Sequence, residues 1–365
     1  MRIGIIGAGQ LGRMLAEAGY PLGLEFRFYD RVADTPGGQV GPIVTGEFDD
    51  HAKLAEFAHD CDVVTFDWEN VPVESLIPIA RHVPVYPKPD ILAIAQDRLQ
   101  EKTLFRELGI PTPPFAPIDC MDDLMRAVDD IGAPGILKTR RLGYDGKGQA
   151  RIMKRSAAAA AVAFESLAGS ALIYEGFVRF TREVSMIAAR NAAGKIVYYP
   201  LSENVHSNGI LDETRAPARY PALERQARRH VRAILERFDY VGILAVEFFV
   251  ERGRLLANEM APRVHNSGHW TIEGAVSSQF ENHLRAITGL PLGCTDARGH
   301  AGMVNFVGYM PTRERALAVA GLHCHDYGKR EARPGRKLGH ATVVAASARA
   351  RDAALARARR LKKPK

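Results

Sequence analysis

Asn258-Glu259-Met260-Ala261-Pro262-Arg263-Val264-His265-Asn266-Ser267-Gly268-His269-Trp270 is the stretch around which the rest of this chain is read. It gathers an acid, a guanidinium, two imidazoles, two amides and a hydroxyl. It follows directly on Arg254-Leu255-Leu256-Ala257, which reads as a strand. Polar groups packed this densely are a costly way to fill a core and a good way to line a site. Met260, Val264 and Trp270 are interleaved among them, which implies a partly buried path rather than a solvated loop.

Upstream, Ile243-Leu244-Ala245-Val246-Glu247-Phe248-Phe249-Val250 is an apolar strand interrupted by one carboxylate, and Arg252-Gly253 marks a hairpin turn. A two-residue loop there would set Glu247 opposite Asn258. A three-residue loop ending at Arg254 would set it opposite Glu259, on the same face. Facing carboxylates repel unless a cation lies between them. Hard oxygen donors beside an amide suit Mg²⁺ bridging nucleotide phosphates. The expectation is therefore the longer loop, the Glu247–Glu259 pairing, and Glu247, Asn258 and Glu259 as metal ligands.

Two glycine-rich stretches bear on the same question. Gly135-Ile136-Leu137-Lys138 reads as a strand ending in a lysine, followed by Thr139-Arg140-Arg141-Leu142-Gly143-Tyr144-Asp145-Gly146-Lys147-Gly148-Gln149. Its glycines let backbone N–H groups approach phosphate oxygens, and Lys138, Arg140, Arg141 and Lys147 supply positive charge. The P-loop spacing is missing. At the N-terminus, a strand over residues 2–6, then Gly7-Ala8-Gly9-Gln10-Leu11-Gly12, a helix, and a strand ending at Asp30 form β-α-β with G-x-G-x-x-G. Alone this motif suits NAD, or a Rossmann-like turn facing another phosphate or none. A third strand over residues 63–68 leads into Glu69-Asn70 at the crevice end. Residues 82–86 read as a fourth strand, and residues 90–108 as one helix carrying Arg98. The prolines of residues 109–117 mark a boundary or rigid arm.

Glu175, closing a strand before Gly176-Phe177-Val178, could hold a purine's amino edge and a ribose. Ala332-Arg333-Pro334-Gly335-Arg336-Lys337-Leu338-Gly339-His340 is a second cationic loop, suited to a phosphate or to plain solvation. His323 and His325 share a strand face but lack the further ligands a metal site needs. Two cationic loops, two carboxylates on a hairpin and an Arg-x-His segment together fit ATP-dependent ligation through an acyl phosphate.

Composition agrees. The chain has 365 residues, 46% of them hydrophobic and 25% charged, ordinary for globular domains. There is no run of about 18 apolar residues to suggest a membrane span. The start of the chain lacks a signal-peptide pattern, and the four cysteines show no metal or disulfide spacing. A cytoplasmic enzyme is expected. The net charge of +7 resides in residues 349–365, with eight basic residues and one acid. The body is neutral, so no nucleic-acid footprint is expected. The tail reads as a solvated helix that frays at its end.

Lys138 with residues 143–149, then Glu247, then residues 258–270, closely resemble the ATP-grasp superfamily. Gly9-Gln10-Leu11-Gly12-Arg13-Met14, Arg285-Ala286-Ile287-Thr288 and Arg333-Pro334-Gly335-Arg336-Lys337 extend the likeness to the biotin-independent carboxylases of purine biosynthesis within it. The resemblance implies an α/β chain, α+β in parts. It would comprise an N-terminal Rossmann-like parallel-sheet domain (1–97), an ATP-grasp domain (98–295, with a mobile lid about 112–178) and a small C-terminal domain (296–365). It implies that ATP and bicarbonate form carboxyphosphate, and that the exocyclic amine of 5-aminoimidazole ribonucleotide takes the carboxyl group, in de novo purine biosynthesis.

By the same resemblance, ATP meets Arg98, Lys138, Gly143, Tyr144, Asp145, Gly146, Lys147, Gly148, Gln149, Glu175, Gly176, Phe177, Val178, Glu183, His206, Asn258 and Glu259. Arg263, His265 and Asn266 hold bicarbonate or carboxyphosphate, and Lys337 acts beside them. The ribonucleotide meets Gln10, Leu11, Glu69, Tyr144, Asp145, Arg333, Arg336 and Lys337. A homodimer with ATP and Mg²⁺, and with neither nucleic acid nor membrane as partner, is implied. Leu142, where the family's loop is commonly small or glycine, and the tail depart from the pattern. The rival readings are a formate-dependent glycinamide ribonucleotide transformylase of the same superfamily, an NAD-dependent dehydrogenase, and a non-catalytic nucleotide-binding module.

Overall fold

A computed structural model describes residues 1–143 and 146–363. Three strands of the N-terminal sheet form where β-branched and aromatic residues cluster. The parallel order is Ile43–Thr45, Glu25–Asp30, Arg2–Ile6, Val63–Phe66. Ile3, Ile5, Phe28 and Val64 are fully buried, as a parallel sheet covered on both faces requires. The helix Gln10–Gly19 makes the crossover. Residues 82–86 do not form the expected fourth strand. Only the bridge Val64↔Val85 survives, because Pro84 and Pro87 withhold ladder donors. The fourth strand is Ile43–Thr45, too short to stand out in the sequence.

The helix expected over residues 90–108 is two helices, Pro89–Ala95 and Arg98–Glu107. Asp97 breaks it by capping the second, accepting from Leu99 N at 2.9 Å. Arg98 thus stands at a helix start, facing the groove.

A small antiparallel sheet follows, ordered Phe115–Ile118, Leu172–Gly176, Gly135–Thr139, Gln149–Ile152. The proline-rich arm therefore ends in an edge strand, where Pro117 costs no ladder bond. The helices Met121–Ile131 and Ala157–Ser166 cover this sheet, and Leu124, Val128, Leu137 and Ala160 fill the space between.

The largest sheet has nine strands. Its path runs Arg254–Ala261, Gly242–Glu251, Arg182–Arg190, Ser202–Ser207, Ile210–Ala216, His300–Val307, Lys337–Ala345, Leu322–Asp326, with Ile196–Tyr198 paired beside Arg182–Arg190. The C-terminal strands thus continue the central sheet, with Glu213 registered against Val304. The helix Pro221–Arg237 packs Ala227, Val231 and Ile234 into the core beneath the hairpin.

The basic tail is not the solvated end expected of it. The helix Ala348–Arg359 buries Ala354, Leu355 and Ala358 against Val304, Phe306 and Val343. Arg359 pairs with Glu213, and Lys362 with Asp212. Its apolar stripe, rather than its charge, decides where it lies.

Candidate active site

The hairpin sets the site's floor. Arg252 and Gly253 both have positive φ (49° and 76°), the signature of a two-residue turn. Glu251 pairs with Arg254, Val250 with Leu255, Phe249 with Leu256 and Phe248 with Ala257. The register then shifts at a bulge, and Glu247 faces Glu259. The expected carboxylate pairing holds, but the expected three-residue loop does not. Asn258, the extra residue of the bulge, makes the offset. Lys102 Nζ donates to its carbonyl at 3.2 Å, and Met260 N donates to Glu101 Oε1 at 2.6 Å, so the helix Arg98–Glu107 braces the distorted strand.

These carboxylates open into a groove of about 1270 Å³ between the small sheet and the central one. Burial pushes the Glu247 carboxyl up to about 7, and Glu259 and Glu183 add to the shift. Burial also acts upward on Glu259, but Arg98, 3.3 Å away, and Lys138 outweigh it and hold Glu259 low. His206 Nδ1 lies 2.7 Å from Glu183. Against desolvation, Glu183 and Glu247 raise its pKa to about 9, so it is a cation.

One wall belongs to buried lysines. Glu175 Oε2 receives Lys138 Nζ at 3.0 Å and Lys102 Nζ at 3.2 Å. Burial works against this carboxylate, yet the two cations hold it at about 2. Its other oxygen is buried without a hydrogen-bond partner. Burial lowers the Lys138 pKa, with Glu175 opposing. Arg98 also donates to Gly143 O at 3.1 Å, tying the glycine loop to the floor. Farther along, Phe177, Val178, Phe180 and Phe249 form an apolar end, the last ring stacked on Phe180 at 4.8 Å. That suits a purine ring.

At the other end stand Arg263, His265, Asn266 and Lys337. Arg263 Nη2 reaches Glu69 Oε2 at 2.7 Å, so two residues expected on different substrates are partners here. His265 Nδ1 lies 2.9 Å from Ser267 Oγ and 3.3 Å from Ser267 N, and accepting from that N–H assigns the ring proton to Nε2. Burial, then Arg263 and Lys337, keep this imidazole neutral. Gln279 clamps the His265 backbone, accepting from its N–H at 3.0 Å and donating to its carbonyl at 2.7 Å. Asn305 exchanges hydrogen bonds with the Asn266 amide at 3.1 and 2.7 Å. Gln10, Leu11 and Glu69 complete the N-terminal wall.

Several expected groups are held by other partners or lie outside the groove wall, and Arg140 lines it while paired. Arg140 makes a double contact with Asp97 at 3.0 and 2.5 Å, and Arg141 donates to Gln96 at 2.9 Å, so the loop's first two arginines brace its base. Gly146 and Gln149 line the groove, whereas Lys147 and Gly148 do not. Arg333 is exposed and Arg336 pairs with Glu331 at 3.3 Å, both outside the groove wall. Tyr144 and Asp145 lie outside the described residues. Among the described residues no three or more His, Cys, Asp or Glu side chains gather as a metal cage. His325 pairs with Glu273 instead of with His323.

Sequence reading passed over Glu101, Lys102, Gln279 and Asn305. The signal for Lys102 was its place four residues after Arg98, on the same helix face. Glu101 is fully buried, and burial pushes its carboxyl up to about 8, with Lys102 and the Met260 N–H opposing. An acid whose pKa is raised on folding holds its proton better when native, so it lowers stability as pH climbs from its unfolded value towards 8. Glu101→Gln keeps the acceptor and removes the charge. Its melting temperature should exceed the parent's by more at pH 8.5 than at pH 5. Equal differences at both pH values would contradict this.

Comparison with known proteins bears on this geometry. Residues 1–96 match the ribonucleotide synthetase preATP-grasp domain, residues 103–280 the ATP-grasp domain, and residues 301–354 the phosphoribosylaminoimidazole carboxylase C-terminal domain. A nucleotide-sized groove between two antiparallel sheets, with buried lysines on one side and paired carboxylates on the other, makes this an ATP-grasp ligase. N5-carboxyaminoimidazole ribonucleotide synthase of Pseudomonas aeruginosa is 50% identical over 343 residues, 94% of each chain. The crystal structure of the Thermus thermophilus synthetase of that name superposes with a TM-score of 0.94 at 50% identity, covering 100% of this chain and 99% of that one. The Aspergillus clavatus synthase in complex with ADP and 5-aminoimidazole ribonucleotide gives 0.91 at 29% identity, covering 99% of both. The chain belongs to the N5-carboxyaminoimidazole ribonucleotide synthase family, and its reaction is the ATP-dependent carboxylation of 5-aminoimidazole ribonucleotide in purine biosynthesis.

Proposed function

We propose that the groove performs this carboxylation in two steps without moving the reacting carbon between sites. The observation that carries the reading is the Glu247–Glu259 pair, set beside buried lysines on one side and the Arg263–His265–Asn266 cluster on the other. ATP lies with its purine against Phe177, Val178 and Phe180 and its phosphates along Lys138 and Arg98. Glu183 and His206 take the ribose end. Gly143, Gly146 and Gln149 close over the phosphates, with Lys147 and Gly148 part of the same loop.

Glu247, Glu259 and the Asn258 amide fit Mg²⁺. They offer hard oxygens on one side of the groove, with Glu259 held ionised by Arg98 and Lys138, and the ion would complete its shell with phosphate oxygens and water. When bound it supplies charge neutralisation across the terminal phosphates.

A bicarbonate oxygen attacks the γ-phosphorus and ADP leaves. The resulting carboxyphosphate is held by Arg263, the Asn266 amide and the Nε2–H of neutral His265. These groups lie where negative charge builds up. The exocyclic amine of the ribonucleotide then attacks the carboxyl carbon, and phosphate departs with the amine's proton. Gln10, Leu11 and Glu69 face the ribonucleotide's base and sugar. Lys337 faces its phosphate, with Arg333 and Arg336 on the loop leading into it, and Tyr144 and Asp145 belong to the same set. The homodimer is part of this reading; a solution mass of twice 40.1 kDa supports it and one of 40.1 kDa removes it.

The test is ADP release with each substrate omitted in turn. Turnover should need ATP, bicarbonate and the ribonucleotide together. Turnover driven by formate with glycinamide ribonucleotide would sink the assignment. Lys337→Ala should raise the apparent KM for the ribonucleotide about tenfold, the worth of one charge-assisted phosphate contact, with the KM for ATP unchanged. An unchanged ribonucleotide KM would contradict the placement of Lys337.

A further inference from the structure

The N-terminal glycine turn looks built for a phosphate, yet it is already filled. Asp67 follows the strand Val63–Phe66, is 7% exposed, and aims its carboxylate into the turn. Its Oδ2 accepts from Gly12 N at 3.1 Å. A Cβ on Gly7 would stand 2.0 Å from Asp67 Oδ1, and one on Gly9 2.8 Å from Oδ2. The glycines are therefore needed for the approach of this carboxylate. Asp30 Oδ2 takes the Ala8 N–H at 2.7 Å. Gly9, the residue that opens the helix Gln10–Gly19, has no side chain to cap it. In a dinucleotide fold these donors meet the pyrophosphate. Here two of the protein's own carboxylates take its place, which also closes the dehydrogenase reading.

The consequence reaches the reaction. Asp67 lines the same groove as Gln10, Leu11 and Lys337. That groove handles the phosphates of ATP, the phosphate product and the ribonucleotide's own phosphate. An open helix N-terminus beside them would capture any of these anions.

We propose that Asp67 is a specificity-determining residue. It closes the glycine turn to phosphate, so that the ribonucleotide enters with its phosphate towards Lys337 and its base and sugar towards Gln10 and Leu11. The orientation rests on the function proposed above; the exclusion of anions does not. Burial raises the Asp67 carboxyl to about 6, with Asp30 adding and the Gly12 N–H and Arg263 opposing, so it is mostly ionised at neutral pH.

Asp67→Ser empties the turn, whereas Asp67→Asn keeps its volume and removes the charge. Inorganic phosphate is titrated against ribonucleotide-dependent ADP release in the parent and both variants. The inhibition constant for phosphate should fall at least about tenfold in Asp67→Ser and about threefold in Asp67→Asn, a conservative fraction of what one nearby charge can impose. Inhibition should compete with the ribonucleotide and leave the KM for ATP unchanged. Phosphate sensitivity equal to the parent's in folded variants overturns the proposal. If Asp67→Ser does not fold, the Asp67→Asn result decides. Heightened inhibition that does not compete with the ribonucleotide overturns the orientation and keeps the exclusion. Lys337→Ala tests the ribonucleotide site independently.

Discussion

Glu259→Gln should lower kcat about a thousandfold, a loss of about 4 kcal/mol of transition-state stabilisation. Glu259 is the carboxylate of the facing pair that Arg98 and Lys138 hold ionised. A neutral amide leaves Mg²⁺ with one charged protein ligand, Glu247, which burial already pushes towards protonation. ATP should still bind, because Lys138 and the aromatic end are untouched. The fold should also hold: the change removes the charge that faces Arg98 at 3.3 Å while keeping an acceptor, and it removes the repulsion between facing carboxylates. The check is kcat beside melting temperature and ATP affinity. Activity within tenfold of the parent, in a folded variant that binds ATP, would remove the metal assignment.

Arg263→Ala should cost a comparable factor, about a thousandfold in kcat/KM. Arg263 stands where the carboxyphosphate would carry its charge, and its fork joins Glu69 at 2.7 Å to the Val264 carbonyl at 3.0 Å. Alanine leaves Glu69 facing the incoming anion with nothing to balance it. Arg263→Lys should recover less than about a tenth of the loss, since an ammonium is a compact point charge without the planar fork that spans Glu69 and the Val264 carbonyl. The KM for ATP should stay within twofold. A lysine variant near parental activity would show that charge alone suffices and that the fork's geometry is idle.

Some of the site is legible from local pattern. The N-terminal β-α-β unit follows from apolar runs and glycine spacing, which act over few residues. Glu247 is visible because a carboxylate inside Ile243-Leu244-Ala245-Val246 and Phe248-Phe249-Val250 needs a partner. The reason for its pairing with Glu259 was not visible. A bulge at Asn258 depends on Glu101 and Lys102 bracing the strand from a helix more than 150 residues away in sequence. The arginines beside the glycine loop show the opposite failure. Composition counts Arg140 and Arg141 as phosphate-binding charge, while Asp97 neutralises Arg140 and a hydrogen bond to Gln96 turns Arg141 to the base of the loop. The tail misled in the same way, because seventeen residues rich in arginine hid the stripe Ala354, Leu355, Ala358 and Leu361.

By itself, then, the sequence determined which chemical groups exist and which short elements carry them. It supplied the glycine turns, the lysine at a strand's end, the lone acid in an apolar strand and the Arg-x-His segment. These follow from side-chain chemistry and from periodicities of two and 3.6 residues. Only the tertiary structure decided which charges remain available. Asp67 and Asp30 occupy the turn that looked like a dinucleotide site, Glu69 holds Arg263, and Glu175 gathers two buried lysines. The physical reason is that a buried charge must find a partner, and the partner can come from anywhere in the chain.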